Sequence, residues 1–358
     1  MYSKLLMRMK KFTLFFLFCG LYVFSAEKAK PREGEGIYSF LLNNGRNPRD
    51  HFDAFVELNK NKLGKNNALL KGVTYTLPPV SAKTVNMANA KQTANAKITA
   101  NTTNTPGNTF AKNNVYTESL FGKKYSEYKI NSPKLSGATF YLVSGHGGPD
   151  CGAIGYVDGK AIHEHEYAYD IMLRLARNLK MEGATVYIII QDKYDGIRDE
   201  QFLKNSQKET CRGKVIPRSH VKRLEQQCDE INMLSRQSKD KYQRAVFVHL
   251  DSRNKSQKLD AFFYYNRNSA PGKQLARTMQ ATFRERYQKS QPGRGFNGTV
   301  SPRDLYVIKN TNPVCLFAEL GNIQNAYDQR RFLISDNRQA LANWMCGGLI
   351  TDYENSKR

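Results

Sequence analysis

The sequence predicts an α/β fold, a twisted, mostly parallel central sheet flanked by helices and preceded by a small α+β module. Three observations predict it. From about residue 136 onward, short apolar runs alternate with longer amphipathic ones, the pattern of strands joined by crossover helices. Ahead of them, a compact unit at 34–79 with its own apolar periodicity is followed by a stretch almost without large apolar residues. The apolar run 139–143 ends in Ser144-Gly145-His146-Gly147, which puts a histidine where a strand leaves its sheet, the place where open α/β proteins build their sites.

The first 26 residues are not part of that fold. Lys4, Arg8, Lys10 and Lys11 precede an apolar stretch at 12–24 that is short for a bilayer span, and Ser25-Ala26 supplies small residues before a polar chain. This pattern predicts a cleaved secretory signal, export to the periplasm or cell envelope, and no stable membrane insertion after cleavage. The chain beyond it holds Cys151, Cys211, Cys228, Cys315 and Cys346, an odd and widely spread set that does not form a disulfide framework. Cys211 and Cys228 flank a polar segment and are the pair that could join after export, whereas Cys315 and Cys346 sit in apolar, core-like surroundings.

The formal net charge is +23, falling to +19 without the four signal cations, so the exported chain should associate with anionic polymers. The Lys and Arg residues are scattered and form no single recognition element. Envelope polyanions are therefore expected as partners, and nucleic acid is not.

In the 34–79 unit, Phe52, Phe55, Val56 and Asn59 are spaced for a helix with one buried face, and 73–77 alternates as a half-buried strand would. Residues 80–117 read as a flexible linker of Ala, Asn, Thr and Lys, too poor in apolar surface to offset the entropy of ordering. The main unit spans 136–352. Strands are expected at 139–143, 184–190, 244–250, 260–265, 305–308 and 314–318, with helices at 164–182, 218–237, 271–288 and 326–351. Pro302 and Pro313 fall in connections, and the polar stretch 192–217 reads as a surface insertion, with shaping or covering the groove as the alternative.

The residues able to carry chemistry lie at the ends of these elements. Glu164 heads a helix whose apolar face continues through Ala168, Ile171, Met172, Leu175 and Leu179. A carboxylate there either stabilises the helix dipole or meets a cation. Glu166 projects to the opposite side with Asp170, Arg174 and Arg177, which reads as a solvated salt-bridged surface. His163 and His165 flank Glu164 in what reads as an exposed turn, with a ligand role as the lesser alternative. His249 follows the apolar strand 244–248 as His146 follows 139–143. Two histidines at strand ends and a helix-start carboxylate match a His2Glu catalytic zinc site, and Asp251 either orients a ring or caps a turn. Glu319 ends the apolar run 314–318 and is either paired in the core or kept beside the site as a base.

Residues 138–351 resemble the zinc-dependent N-acetylmuramoyl-L-alanine amidases of bacterial cell-wall turnover. The motif G-H-G-G-x-D-x-G-A-x-G is present from Gly145 through Gly155, and the glutamate of E-x-G-x-x-x-N falls on Glu319. Glu164 stands at the family's distance from Gly183, and His249 follows an apolar strand as the family's second histidine does. The chain departs in having Val143 and Asp251 where the family commonly has aspartate and asparagine. The resemblance implies Zn2+ held by His146, Glu164 and His249, with Glu319 as general base and then acid. Peptidoglycan would be the substrate, cut between N-acetylmuramic acid and L-alanine. Nothing in the sequence identifies a protein activator. Residues 34–79 resemble a LysM module, a binder of N-acetylglucosamine-containing wall glycans, through Leu58-Asn59 and the closing Leu69, Gly72, Tyr75, Leu77 and Pro78. A non-catalytic cell-wall binding protein is the alternative.

Overall fold

The computed structural model describes residues 27–32, 35–46, 48–64, 67–79 and 114–357. The expected signal segment, and Gly34 at the start of the first unit, lie outside them.

The main unit is built on a six-stranded mixed sheet. Its strands are β1 (Ala138–Ser144), β2 (Thr185–Ile188), β3 (Tyr242–Asp251), β4 (Phe262–Tyr265), β5 (Thr299–Pro302) and β6 (Val314–Asn322). They lie in the spatial order β5-β4-β6-β3-β1-β2. Every neighbouring pair is parallel except β4 with β6. All seven residues of β1 are buried, as expected for a central strand covered on both faces.

Alternate side chains of the central strands feed two cores. Phe140, Leu142, Val246 and Val248 pack beneath α1 (Glu164–Met181), α3 (Ala270–Ser290) and α5 (Ser335–Ser356). Tyr141, Val143, Ala245 and Phe247 face the other way, toward α2 (His220–Gln237) and its buried Cys228, Ile231 and Leu234. Local chemistry fixes the helix starts. Ser219 and Ser269 accept backbone N–H bonds from Lys222 and Gly272, capping α2 and α3, and Asn325 caps α4 (Ala326–Leu333) in the same way.

Several boundaries differ from expectation. The expected strand 305–308 is a short helix, Tyr306–Asn310, that buries Val307 and Ile308, and the sheet instead gains β5. A four-residue apolar run has no period long enough to separate the two states. Pro302 is the last residue of β5, not part of a connection, and is tolerated because β5 is an edge strand. The expected helix 326–351 is two helices, α4 and α5, separated at the extended Ile334.

Of the expected 80–117 linker, residues 80–113 lie outside the described residues, but Val115–Thr117 is a strand paired with Glu127–Lys129. Phe121 and Leu135 join the main core, so that unit begins well before residue 136. Cys211 and Cys228 are both free and buried.

The first unit runs strand, helix, helix, strand. Lys28–Ala29 pairs antiparallel with Tyr75–Thr76 around helices Ile37–Asn43 and Pro48–Asn59. Its core holds Ile37, Phe40, Leu41, Phe55, Tyr75 and Leu77. Asn59 is buried, and its amide meets both backbone groups of Thr76 at 2.8 Å, tying the second helix to the last strand.

Candidate metal centre

The expected ligands come from three elements. β1 ends in Ser144, and after Gly145 His146 adopts a left-handed φ of 65° that turns its ring across the end of the sheet. β3 carries His249, with a register irregularity immediately after it, a device that re-aims side chains at strand ends. The first residue of α1 is Glu164, 3% exposed.

Glu164 joins the two imidazoles. Its Oε2 lies 3.2 Å from Nε2 of His146 and its Oε1 lies 3.0 Å from Nδ1 of His249. The backbone N–H groups of Ala153 and Leu250 donate to the same two oxygens at 2.9 and 3.1 Å, which fixes the carboxylate plane. The two rings stand 5.0 Å apart at 75°, and His249 is stacked on Phe317 at 4.4 Å. Two glycines make room for this cluster. A Cβ at Gly152 would stand 2.6 Å from His146 and 2.7 Å from Glu164, and one at Gly145 would overlap the His249 ring.

Asp150 orients His146. It takes Nδ1 at 2.9 Å and is itself held by Arg223 of α2 at 2.7 Å and by the N–H of Gly152. Neither role was read from the sequence. Asp150 stands four residues after the histidine in the same glycine loop, a usable signal, but Arg223 comes from a distant helix and gives none. Asp251 orients no ring; it accepts bonds from Ser252 and Arg253 and caps the turn after β3.

The electrostatics follow from this packing. Burial opposes charge on His146, but its bonds to Asp150 and Glu164 outweigh it and raise the ring pKa to about 10. Burial lowers the pKa of His249. Burial likewise opposes charge on Glu164, yet the two histidines hold it below the usual carboxylate range. Glu319 behaves in the opposite way. Burial, then the charges of Glu164 and Asp251, push its pKa well above that range, and its Oε2 is buried with no hydrogen-bond partner.

Two nitrogens and a carboxylate from three distant segments, with ligand atoms within 4.8 Å of one another, match in type the donors that catalytic zinc sites use. The glycine cradle and the unpartnered oxygen of Glu319 fit such an ion. Residues 141–351, more than half of the chain, match the model of the N-acetylmuramoyl-L-alanine amidase family. The chain belongs to this family.

Among solved structures, the chain is similar to the CwlD amidase from Clostridioides difficile, determined in complex with the GerS lipoprotein. That match has 20% identity over 61% of this chain and 98% of the other, with a TM-score of 0.45. It is also similar to amidase AmiC2 of Nostoc punctiforme, with 16% identity over 62% and 99% of the two chains and a TM-score of 0.44. The catalytic domain of CwlV from Bacillus (Paenibacillus) polymyxa gives 20% identity over 61% and 98%, again with a TM-score of 0.44. No curated protein sequence matches the chain.

Around the amidase-family site, three expectations are corrected. Glu166, Asp170 and Arg174 are not a solvated face; they are 1%, 0% and 3% exposed. Asp170 pairs with Arg174 at 2.8 Å and with the fully buried Arg338 of α5 at 2.6 Å, because α5 covers the side of α1 that the periodicity left open. His163 and His165 do not share an exposed turn. His165 is 2% exposed, and its two ring nitrogens each lie 3.0 Å from a backbone carbonyl oxygen, those of Cys151 and Ser206. The 192–217 segment is no loose insertion, since it buries Ile197, Leu203, Glu209 and Ile216, and Glu209 holds the N–H of Gly148 at 2.8 Å.

Proposed function

We propose that this amidase-family chain is an exported peptidoglycan hydrolase that cleaves the amide between N-acetylmuramic acid and L-alanine with the help of zinc. The observation that carries this reading is the convergence of His146, Glu164 and His249 beside a buried, partnerless Glu319 oxygen. Zinc, when bound by those three side chains, would lower the pKa of a water toward about 7 and polarise the scissile carbonyl.

The chain's own residues supply the rest. Asp150 keeps the Nδ1 proton of His146 turned outward, so the Nε2 lone pair faces Glu164. Backbone N–H groups of Ala153 and Leu250 fix Glu164, and the two imidazoles keep it ionised. Glu319 sits opposite His249 on the neighbouring strand, with its proton affinity raised well above that of an ordinary carboxylate by burial. It takes a proton from the attacking water and returns one to the departing alanine nitrogen. The products are a lactyl carboxylic acid and a free amine.

The localisation and the first unit complete the proposal. Residues 1–26 act as a secretory signal and 80–113 as a tether. The unit ending at Pro79 acts as a LysM-like glycan binder, supported by its Leu58-Asn59 pair and the role of Asn59 in closing the unit. No described helix is long and apolar enough to cross a membrane.

The test is release of stem peptides with new alanine amino termini from purified peptidoglycan, using wild type and Glu319→Gln. Wild type should release them and the variant should be slower by about 10²–10⁴-fold. Negligible release by both proteins, with wall binding intact, would leave the non-catalytic wall-binding reading instead.

A further inference from the structure

A second ligand-bearing cluster lies behind the first turn of α1, one residue beyond Glu164. His165, Glu166 and Glu209 are 2%, 1% and 6% exposed, and their ligand atoms lie within 4.8 Å of one another. Nε2 of His165 stands 3.2 Å from Oε1 of Glu166, 3.4 Å from Oε1 of Glu209 and 3.0 Å from the carbonyl oxygen of Ser206. Three oxygens, one from α1 and two from the 206–209 stretch, therefore surround one ring nitrogen.

The outer atoms of the cluster are already committed. Oε2 of Glu166 is paired with Arg198 at 2.8 Å, and Oε2 of Glu209 accepts the N–H of Gly148. Nδ1 of His165 faces the carbonyl of Cys151 at 3.0 Å. A ring whose Nδ1–H donates to a backbone carbonyl presents its Nε2 lone pair inward, the tautomer that metal-ligating histidines use. Arg198 neutralises one of the two carboxylates, so the pocket requires a further positive charge. A proton on Nε2 can be donated to only one of the three oxygens at full strength. An ion would meet all of them; ligands about 2.0–2.2 Å from a tetrahedral zinc stand roughly 3.3–3.6 Å from one another, so the 3.0, 3.2 and 3.4 Å separations from Nε2 would open by a few tenths of an ångström to admit it.

We infer that His165, Glu166 and Glu209, with the Ser206 carbonyl, form a second and closed site for a divalent transition ion such as Zn2+. Its protein donors fill four positions and it is shut off from solvent, so it is structural. It fastens the 192–209 segment to α1 and, through Glu209, supports the Gly147-Gly148 turn that follows His146. This site stands independently of the reaction proposed above.

The experiment is metal content by elemental analysis of the full exported protein, loaded with Zn2+ and dialysed, with circular dichroism to confirm folding. Wild type should hold two ions per chain, Glu209→Gln one, and His146→Ala one. His146→Ala/Glu209→Gln should hold none. In the His146→Ala background, where only the second site remains, chelation should lower the melting temperature. A folded His146→Ala protein without zinc overturns the proposal, as does one ion in wild type that persists in Glu209→Gln; either result would mean that a proton alone occupies the pocket. One ion that is retained by His146→Ala but lost from Glu209→Gln supports this site while refuting a metal at His146.

Discussion

His249 and Glu319 are directly paired across the neighbouring parallel strands β3 and β6. Partners in adjacent strands lie about 4.8 Å apart and project to the same face, so the sheet itself sets the distance between the proposed metal-ligating ring and an acid whose Oε2 has no hydrogen-bond partner. Shortening the acid should therefore matter as much as neutralising it. Glu319→Asp is expected to keep zinc content and the melting temperature near wild type while slowing amide cleavage by about 10²-fold or more. A fully active Glu319→Asp enzyme would argue against a positioned base.

Asp150 links His146 to Arg223. Asp150→Asn removes the charge that orients the ring but preserves its shape. Zinc affinity should fall by about 10–100-fold, as read by competition with a chromogenic chelator, and the far-ultraviolet spectrum should not change. Arg223→Met should give a smaller loss, because Gly152 still holds the other oxygen of Asp150.

Proton and metal compete for His146. In the metal-free protein its pKa is raised to about 10, so at neutral pH the ring carries a proton that metal must displace. Zinc affinity should then rise with pH by about tenfold per unit across the neutral range. Isothermal titration in two buffers of different ionisation enthalpy should also show a proton released. A pH-independent affinity with no proton release would contradict this account of the ring.

The buried group Asp170, Arg174 and Arg338 should control acid stability. Burial opposes ionisation of Asp170, but the two guanidinium groups prevail and hold its pKa below the ordinary 3.8. Because the folded value is the lower one, its contribution is fully present above about pH 4 and disappears as pH falls through that folded value. Urea midpoints measured downward from about pH 6 should drop in wild type below about pH 4. Asp170→Asn should be destabilised by about 3–5 kcal/mol at neutral pH, because it strands the buried Arg338 and leaves Arg174 with only Asp199, and its acid limb should be shallower.

Much of this was legible along the chain. The alternation of apolar runs after residue 136 specified the sheet, and the glycine-flanked His146, the strand-end His249, the helix-start Glu164 and the strand-end Glu319 specified the candidate site. These signals are local, because buried strands need continuous apolar residues and a side chain at a strand or helix end is announced by what precedes or follows it. The misreadings share the opposite cause. The 305–308 run was too short to carry a period, and nothing local indicated that α5 would cover the polar side of α1.

Sequence by itself thus determined the fold class, the family likeness and the residues able to carry chemistry, since each depends on neighbours a few positions away. Tertiary structure alone decided that Glu164 meets both histidines, that Arg223 backs Asp150, that Arg338 is buried against Asp170, and that Glu209 reaches His165. Those contacts join residues separated by 18 to 168 positions. Burial and charge at such points are properties of packed elements, and periodicity within any one element does not contain them.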